Sequence, residues 1–594
     1  MTDLLSVKSL EESFPNYKTD TEIEYSYKQS INVNALSNCI CLMKLNLESN
    51  CLSSFRFASA LTNLRYLDVS SNQYAQLEGI ETLNLDTLII KYNPLSNLHG
   101  IWTQKKLTTL DVSGTSLTAL NGIELLYYLQ KLSMNSLEFL DNLDAVYQLS
   151  GLQTLQISCN KLVKLQGIEA MTDLKELFCP NASLRSLIGI QELQSLRMLD
   201  ISRNSLTSLQ GIKNLKTLVN LNISYNKIDS LSELAFCINL QHLEMNEIGA
   251  KNLSGLFALT KLQTLIACNN EVESLEELKA LTELKVVKFK SNKLQNLNGL
   301  QNCQNLTDLE VEKNELTGLL GIPNHSQLKV LQIFANTIKN FVGIGQQMHL
   351  QQIIAHGCHL ESLEGIEEAS SSLQKIVINN NDLKSLEQLQ NAKLLKSLIA
   401  DNNQLGSLSG IEQLSQLNIL EVQHNNLQSV KEIETLINME QVNIADNQIQ
   451  NFEGFQRLTK LRKISAKNNM ISKLSQLQGL RVLEYLDIDQ NKISDLRQLL
   501  FLQSIGRILK VVWLSEQEKE FDAKANLACQ QKDYLKYLYY ILPTVQSFMY
   551  EVENESAGPV FYPVATNKMV DLKGYTPTME FKLTPQLKQQ LAEQ

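Results

Sequence analysis

The stretch Leu152-Gln-Thr-Leu155-Gln-Ile157-Ser-Cys-Asn160 decides the fold, because the rest of the chain repeats its pattern. Neighbouring side chains of a strand point to opposite faces, so Leu155 and Ile157 are expected to lie inward and Gln156 outward. Asn160 follows the strand, where a buried amide with two donors and an acceptor can satisfy backbone groups of adjacent coils. The stretch therefore predicts one strand and one turn of a coil that stacks on copies of itself.

The column that Asn160 occupies recurs along most of the chain. It appears 21 times between Asn50 and Asn491, asparagine fills sixteen of these positions, and the mean period is about 22 residues. The column predicts a structural ladder of asparagine side chains at Asn160, Asn204, Asn226, Asn270, Asn292, Asn314, Asn336, Asn381, Asn403, Asn425, Asn447, Asn469 and Asn491. Units that lack the asparagine, around Leu137, Ala182 and Ile248, are expected to be locally irregular.

The segment after each asparagine indicates the type of repeat. Thirteen units carry a glycine seven residues after the asparagine column, as at Gly167, Gly211 and Gly410. Glycine permits a tight turn, and so short a coil is expected to return through 3₁₀ or one helical turn. The pattern Asn-x-Leu-x-x-Leu-x-Gly-Ile-x-x-Leu resembles the short class of leucine-rich repeats found in the protein phosphatase 1 regulatory subunit and, in repeat pattern, in bacterial internalins. The resemblance implies an α/β solenoid, a leucine-rich-repeat horseshoe with a concave parallel β-sheet, convex 3₁₀ or short helical turns, and N- and C-terminal caps.

Composition and charge narrow the classes of function. The 594 residues include 106 leucines but 9 prolines, which favours one regular repeat array over a mosaic of domains. The net charge of −10 argues against a nucleic-acid partner, and no apolar run is long enough to predict a membrane span. The acidic N-terminus lacks a signal-like apolar segment and the cysteines are scattered. We therefore expect a cytoplasmic location, with the nucleus as the second candidate.

Four segments are predicted along the chain. Residues 1–41 are an N-terminal cap with a degenerate repeat, and residues 42–517 are a solenoid of about 21–22 repeats, whose last strand is displaced to 26 residues after the one before it. Residues 518–550 are a C-terminal cap, because an apolar helical run that ends before Pro543 resembles the caps of intracellular leucine-rich-repeat proteins. Residues 551–594 are expected to be an extended or disordered tail.

The outward strand positions are the ones that the repeat does not dictate. Early units place polar residues there, such as Asp68, Asp111 and Asp200, which are expected to be ordinary solvated surface. Between the fourteenth and eighteenth units the outward positions become apolar and predict one contiguous patch that binds a partner. Its residues are Val330, Phe334, Ile354, His356, Val377, Ile399, Asp401 and Ile419. The alternative is that these β-branched residues only support strand formation.

No motif predicts catalysis, a cofactor or a metal. The sequence lacks phosphate-binding, dinucleotide-binding, zinc-protease and serine-hydrolase signatures, so we do not expect an enzyme. His356-Gly-Cys358-His359 is the one cluster of histidine and cysteine, and its side chains are expected to diverge rather than to share a metal ion.

The sequence therefore favours an intracellular, non-enzymatic scaffold that binds a protein partner on its concave face. We expect a monomer, and the resemblance implies a serine/threonine phosphatase catalytic subunit as a candidate partner, which would make the chain a phosphatase regulator. Two alternatives stay open. One is an extracellular adhesion or recognition protein like an internalin, and the other is an axonemal or ribonucleoprotein assembly factor.

Overall fold

The computed structural model describes residues 5, 7–30, 32–138, 140, 143–158, 162–165, 167–505, 511–513 and 547–549. The chain divides into two compact units, residues 1–336 and residues 337–594. Each unit is a stack of coils, and each described strand is three residues long. Within each unit the strands of consecutive coils pair in parallel, as in a leucine-rich-repeat solenoid.

The described strands of the first unit begin 21 to 23 residues apart. They are β1 (Glu22–Glu24), β2 (Lys44–Asn46), β3 (Tyr66–Asp68), β4 (Thr87–Ile89), β5 (Thr109–Asp111), β6 (Lys131–Ser133), β7 (Thr154–Gln156), β8 (Glu176–Phe178), β9 (Met198–Asp200), β10 (Asn220–Asn222), β11 (His242–Glu244), β12 (Thr264–Ile266), β13 (Val286–Lys288), β14 (Asp308–Glu310) and β15 (Val330–Gln332).

The described strands of the second unit begin 22 or 23 residues apart from Gln352 to Tyr485. They are β16 (Gln352–Ile354), β17 (Lys375–Val377), β18 (Ser397–Ile399), β19 (Ile419–Glu421), β20 (Gln441–Asn443), β21 (Lys463–Ser465), β22 (Tyr485–Asp487), β23 (Val511–Trp513) and β24 (Ser547–Met549). Strand β23 begins 26 residues after β22, which confirms the predicted spacing, but β23 is not the last strand, because β24 follows it. Strand β24 pairs with β23 inside the segment predicted as a cap. The helical run before Pro543 and the tail 551–594 lie outside the described residues.

The return segments are short, as predicted. One α-helix, α1 (Val7–Ser13), lies in the N-terminal segment, and the other described helices are 3₁₀. The 3₁₀ helices are Asn34–Asn38, Arg56–Ala60, Ile80–Thr82, Ile101–Thr103, Ile123–Leu125, Asp144–Gln148, Ile168–Ala170, Ile190–Glu192, Ile212–Asn214, Ser232–Phe236 and Glu276–Ala280 in the first unit, and Ile366–Glu368, Ser370–Ser372, Glu387–Leu389, Lys431–Thr435, Ser475–Leu477 and Leu496–Ser504 in the second. Coils of about 22 residues leave no room for longer helices.

The core of each coil follows the leucine columns. Leu155 and Ile157 are fully buried and Gln156 is half-buried, so the strand alternates as the sequence predicted. The first residue of many 3₁₀ turns follows a glycine in the left-handed region, such as Gly211 with φ 101° before Ile212–Asn214. Glycine adopts this conformation without the strain that a Cβ would bring.

Asparagine side chains join consecutive coils. Asn292 donates through Nδ2 to the carbonyl of Ala267 in the preceding coil at 2.9 Å and to that of Phe289 in its own coil at 3.1 Å. Its Oδ1 accepts from the amide of Val272 at 3.0 Å. The same bridge is present at Asn204, Asn226, Asn270, Asn314, Asn336, Asn381, Asn403, Asn425, Asn447, Asn469 and Asn491. Asn160 lies outside the described residues.

Some of the turns that lack the asparagine have a different backbone conformation from the regular turns. In a regular coil the residue before the asparagine has a positive φ, as Ser291 has (55°). At Ala182 and Ile248 the residue after the column also has a positive φ, 65° at Ser183 and 76° at Gly249. The irregularity expected at these two units is therefore confirmed. At Thr115 and Leu137, which also lack the asparagine, only the residue before the column has a positive φ, so the irregularity expected at Leu137 does not take this form.

Candidate functional site

Three outward apolar residues form a row across the sheet of the second unit. The central residues of β16, β17 and β18 are fully buried, so the residues that follow them face outward. These outward residues are Ile354, Val377 and Ile399. Ile354 is in register with Val377, and Val377 with Ile399. All three are half-buried, so they form one contiguous apolar strip of the sheet face, which we call the apolar row.

The apolar row ends at a carboxylate. Strand β19 places Glu421 in register with Ile399, while Ile419 is in register with Ser397. Ile419 therefore lies on the sheet face beside the row rather than in it. Glu421 is half-buried, and its Oε1 accepts a hydrogen bond from Nε2 of Gln441 at 2.9 Å.

Two residues of the predicted patch belong to the first unit. Val330 begins β15, and Phe334 follows that strand, and both are half-buried and outward. The carbonyl of Phe334 accepts from the amide of Lys313 in the preceding coil at 3.0 Å. The structure therefore divides the predicted set between the two units, and the second unit holds its larger part.

Asp401 has a structural role that the sequence did not reveal. Its side chain is buried, and Oδ1 accepts from the amide of Gln423 in the next coil at 2.9 Å. Burial raises the pKa of Asp401 to about 6, and the neighbouring carboxylate of Glu421 adds to the rise. The side chain thus ties two coils together and carries its charge at the end of the apolar row.

The same coil-to-coil bridge recurs along the first unit. Ser113 accepts from the amide of Asn135 at 3.1 Å, and Asn135 accepts from that of Ser158 at 2.8 Å. Ser224 and Asn246 continue the pattern at β10 and β11. A sequence pattern that would have predicted this bridge is a short polar residue three positions after the central residue of the strand, a position that the leucine repeat does not define.

The early outward aspartates are also structural, which corrects their interpretation as ordinary solvated surface. Asp68 accepts the amide of Ser70 at 2.9 Å, and Asp111 accepts that of Ser113 at 3.0 Å. Asp200 accepts the amide of Ser202 at 2.9 Å. A carboxylate that accepts a hydrogen bond from the backbone amide two residues later stabilises the end of its own strand. These side chains therefore hold the strand ends and are less available to a partner than the sequence suggested.

The histidine and cysteine cluster does not converge. His356 is half-buried and burial lowers its pKa, Cys358 is fully buried, and His359 is exposed with Nδ1 3.7 Å from Oδ2 of Asp382. Across the part of the chain that the structure describes, no group of three histidine, cysteine, aspartate or glutamate side chains could hold a metal ion.

Strands β13 and β14 carry a cross-strand set of ion pairs. Lys288 Nζ lies 2.6 Å from Oε1 of Glu310, and Lys290 Nζ lies 3.7 Å from Oε1 of Glu312. The hydrogen bond to Glu310 raises the pKa of Lys288, whereas burial raises the pKa of Glu312. Opposite charges in register stabilise a sheet pair. We therefore assign these residues to stability of the solenoid.

Asp487 on β22 makes the stability of the protein depend on pH. It is 8% exposed, burial raises its pKa to about 6, and Oδ1 accepts from the amide of Asp489. The folded state therefore binds this proton more tightly than the unfolded chain, and stability falls as pH rises from about 4 through 6.

Asp487→Asn keeps the hydrogen-bond acceptor without the charge. Urea unfolding at pH 8 should therefore show the variant about 2–3 kcal/mol more stable than the parent, with no difference at pH 4. The exposed Glu434→Gln is the control, and an equal gain at both pH values would contradict the charge argument.

No helix among the described residues combines the length and apolar character that crossing a membrane requires.

Comparisons with known proteins support the fold. The family profile "Leucine Rich repeats (2 copies)" matches residues 194–236. No curated protein matches the chain in sequence. A solved plant peptide hormone receptor, RGFR1 in complex with RGF2, is 18% identical, with 90% of this chain and 92% of that chain covered and a TM-score of 0.57.

Two bacterial structures are also similar. The leucine-rich-repeat protein LIC12759 of Leptospira interrogans is 22% identical over 78% of this chain and all of that one, with a TM-score of 0.45. An internalin (inlF) of Listeria monocytogenes is 21% identical over 63% of this chain and 89% of that one, with a TM-score of 0.32. The chain has the leucine-rich-repeat fold, and at these identities the likeness to the plant receptor concerns the fold alone.

Proposed function

We propose that this leucine-rich-repeat chain is a non-enzymatic scaffold that binds a protein partner on the outward face of its β-sheet, the face predicted to be concave. The observation that carries the proposal is the apolar row Ile354, Val377 and Ile399. Half-buried apolar side chains in three consecutive strands leave a continuous strip that gains free energy when a partner covers it. Elsewhere on the sheet the outward positions are mostly polar, so the strip is a distinct surface.

The alternative, that these residues serve strand formation only, predicts a different pattern. Strand propensity is the same requirement in every coil, yet Asp68, Asp111 and Asp200 fill the corresponding position in the first unit. Three successive β-branched residues in one column therefore point to a local requirement. A binding surface is such a requirement, and we assign the row to it.

The experiment is capture of partners from cells by the full chain and by Ile354→Asp with Ile399→Asp. A carboxylate in the row would have to be desolvated under the partner, so we expect the double variant to lose capture of the partner by about a hundredfold or more. The side chains face outward, so circular dichroism and melting should stay close to those of the parent. The matched control is Ile437→Asp with Val342→Asp, two exposed positions outside the strands, which should retain capture. Retained capture by the folded row variant would reject the proposal.

We further propose an intracellular, cytoplasmic and monomeric protein, with a serine/threonine phosphatase catalytic subunit as the first partner to test. The support is the sequence resemblance of the repeat and the scattered cysteines of the chain. Purified phosphatase 1 catalytic subunit should bind the full chain and lose that binding in the row variant. Absence of binding would reject the phosphatase and leave the binding surface to another partner.

A further inference from the structure

The end of the apolar row carries two carboxylates, Glu421 and Asp401, and no ion pair between either of them and a lysine or arginine is found among the described residues. Burial raises the pKa of Asp401 by more than the charge of His424 lowers it. Glu421 is in register with Ile399, and Asp401 lies two residues after Ile399 on the same face. The hydrogen-bond partners of the two carboxylates within the described residues are neutral, the side-chain amide of Gln441 and the backbone amide of Gln423. The two groups are near enough that the charge of Glu421 favours the protonated form of Asp401 and raises its pKa.

The lysines at the start of β17 and just before β18 lie at the other side of the strip. Lys375 opens strand β17 and Lys396 precedes β18, whereas Asp401 follows β18. Both lysines are exposed, so their charges are well solvated. The half-buried Glu421 and the buried Asp401 are poorly solvated, and a covering partner would remove what water remains. Two desolvated anions without a counter-ion would oppose docking of a neutral or acidic surface.

We propose that the partner segment held on the apolar row carries a lysine or arginine side chain beyond its apolar residues, seated over Glu421 and Asp401. This inference rests on the proposed function of the row. Strands of a sheet are about 4.8 Å apart, so the basic group follows the last apolar contact by about 5 Å. A cation at that point forms charge-assisted hydrogen bonds to the carboxylates in place of the water that the partner displaces. The class of partner is therefore a basic–apolar polypeptide segment, which also matches the chain's net charge of −10.

The test is selection of random twelve-residue peptides displayed on phage against the full chain. The parent should enrich peptides that combine apolar residues with lysine or arginine. Glu421→Lys reverses the charge at the end of the row, so its enriched peptides should carry aspartate or glutamate instead. Glu434→Lys makes the same change of net charge at an exposed position of Lys431–Thr435 and should select the same basic peptides as the parent.

The outcomes separate this inference from the proposed function. A synthetic peptide from the enriched pool should bind the parent about tenfold or more tightly than its copy with glutamine in place of the basic residue, and the difference should vanish for Glu421→Lys. Apolar peptides selected without a charge preference, or the same preference in the parent and Glu421→Lys, would overturn the basic segment and leave the row intact. Peptides whose binding survives Ile354→Asp with Ile399→Asp would overturn the row itself.

Discussion

Asn292→Ala is expected to lower the free energy of unfolding by about 3 kcal/mol. The side chain is 8% exposed and bridges the carbonyls of Ala267 and Phe289 while it accepts from the amide of Val272. Alanine removes one of two side-chain donors from each carbonyl, because Asn270 still donates to Ala267 and Asn314 to Phe289, and it leaves the buried amide of Val272 without its acceptor. Each lost hydrogen bond costs about 0.5–1.5 kcal/mol and an unsatisfied buried group about 1–3 kcal/mol. Some of that loss is recovered when water enters or the coil relaxes, so the total is below the sum.

The measurement is urea unfolding followed by circular dichroism, with Asn314→Ala as a second ladder variant. Asn314 makes the equivalent bridge to Phe289, Val311 and Leu294, so it should behave like Asn292. Asn214→Ala, at an exposed position of Ile212–Asn214, is the matched control and should change stability by less than about 0.5 kcal/mol. Unchanged stability in both ladder variants would show that the coils are not held together by this column.

Gly365→Val is expected to destabilise the second unit by about 3 kcal/mol or more. Gly365 precedes Ile366–Glu368 with φ 92°, a conformation that a β-branched residue adopts only under strain. A Cβ at this position would lie 2.6 Å from the carbonyl oxygen of Phe341 and 2.7 Å from the amide nitrogen of Val342. Both neighbours are backbone atoms, so relief requires one coil to move away from the next.

Gly406→Val is the matched control because a Cβ there meets open space. The same substitution should therefore change stability by about 1 kcal/mol at most. Equal destabilisation at both positions would mean that loss of glycine flexibility, rather than contact between coils, accounts for the effect. A folded, equally stable Gly365→Val would contradict the requirement for glycine at the start of the return segment.

The register of the coils could be predicted because burial dictates it. Leu155 and Ile157 are fully buried, as the leucine pattern predicted. The strands pair in parallel because each coil repeats the same buried columns. The displaced strand Val511–Trp513 was also predictable, because its apolar alternation survives the change of spacing. Ser547–Met549 begins 36 residues after Val511 and falls outside the period, so the repeat carried no information about it.

The surface was harder to predict because outward residues serve two purposes. Asp68 and Asp401 are both outward acids, yet Asp68 closes its own strand and Asp401 joins two coils. The sequence shows only that both residues are polar, because the geometry of the turn decides which backbone amide donates a hydrogen bond to each carboxylate. The division of the patch was invisible for a similar reason: Val330 and Ile354 are both outward strand residues, and only the packing assigns them to different units.

The apolar row could be anticipated from the sequence, but its boundary could not. The sequence predicts Ile419 as the sixth apolar residue of the patch, and only the register shows that Glu421, not Ile419, continues the column of Ile399. The two residues lie two positions apart on the same face of the strand, so the column carries a charge where the sequence predicted an apolar contact. The basic character inferred for the partner follows from that register.

Photo-cross-linking from the apolar row shows whether the partner lies against it. A benzoylphenylalanine placed at position 377, in the middle of the row, should cross-link the captured partner on irradiation of the intact chain. The same group at position 437, an exposed position outside the strands, should not. If the apolar row binds the partner, we expect cross-linking from position 377 and its loss in Ile354→Asp with Ile399→Asp. Capture of the partner with cross-links from position 437 and none from position 377 would contradict it.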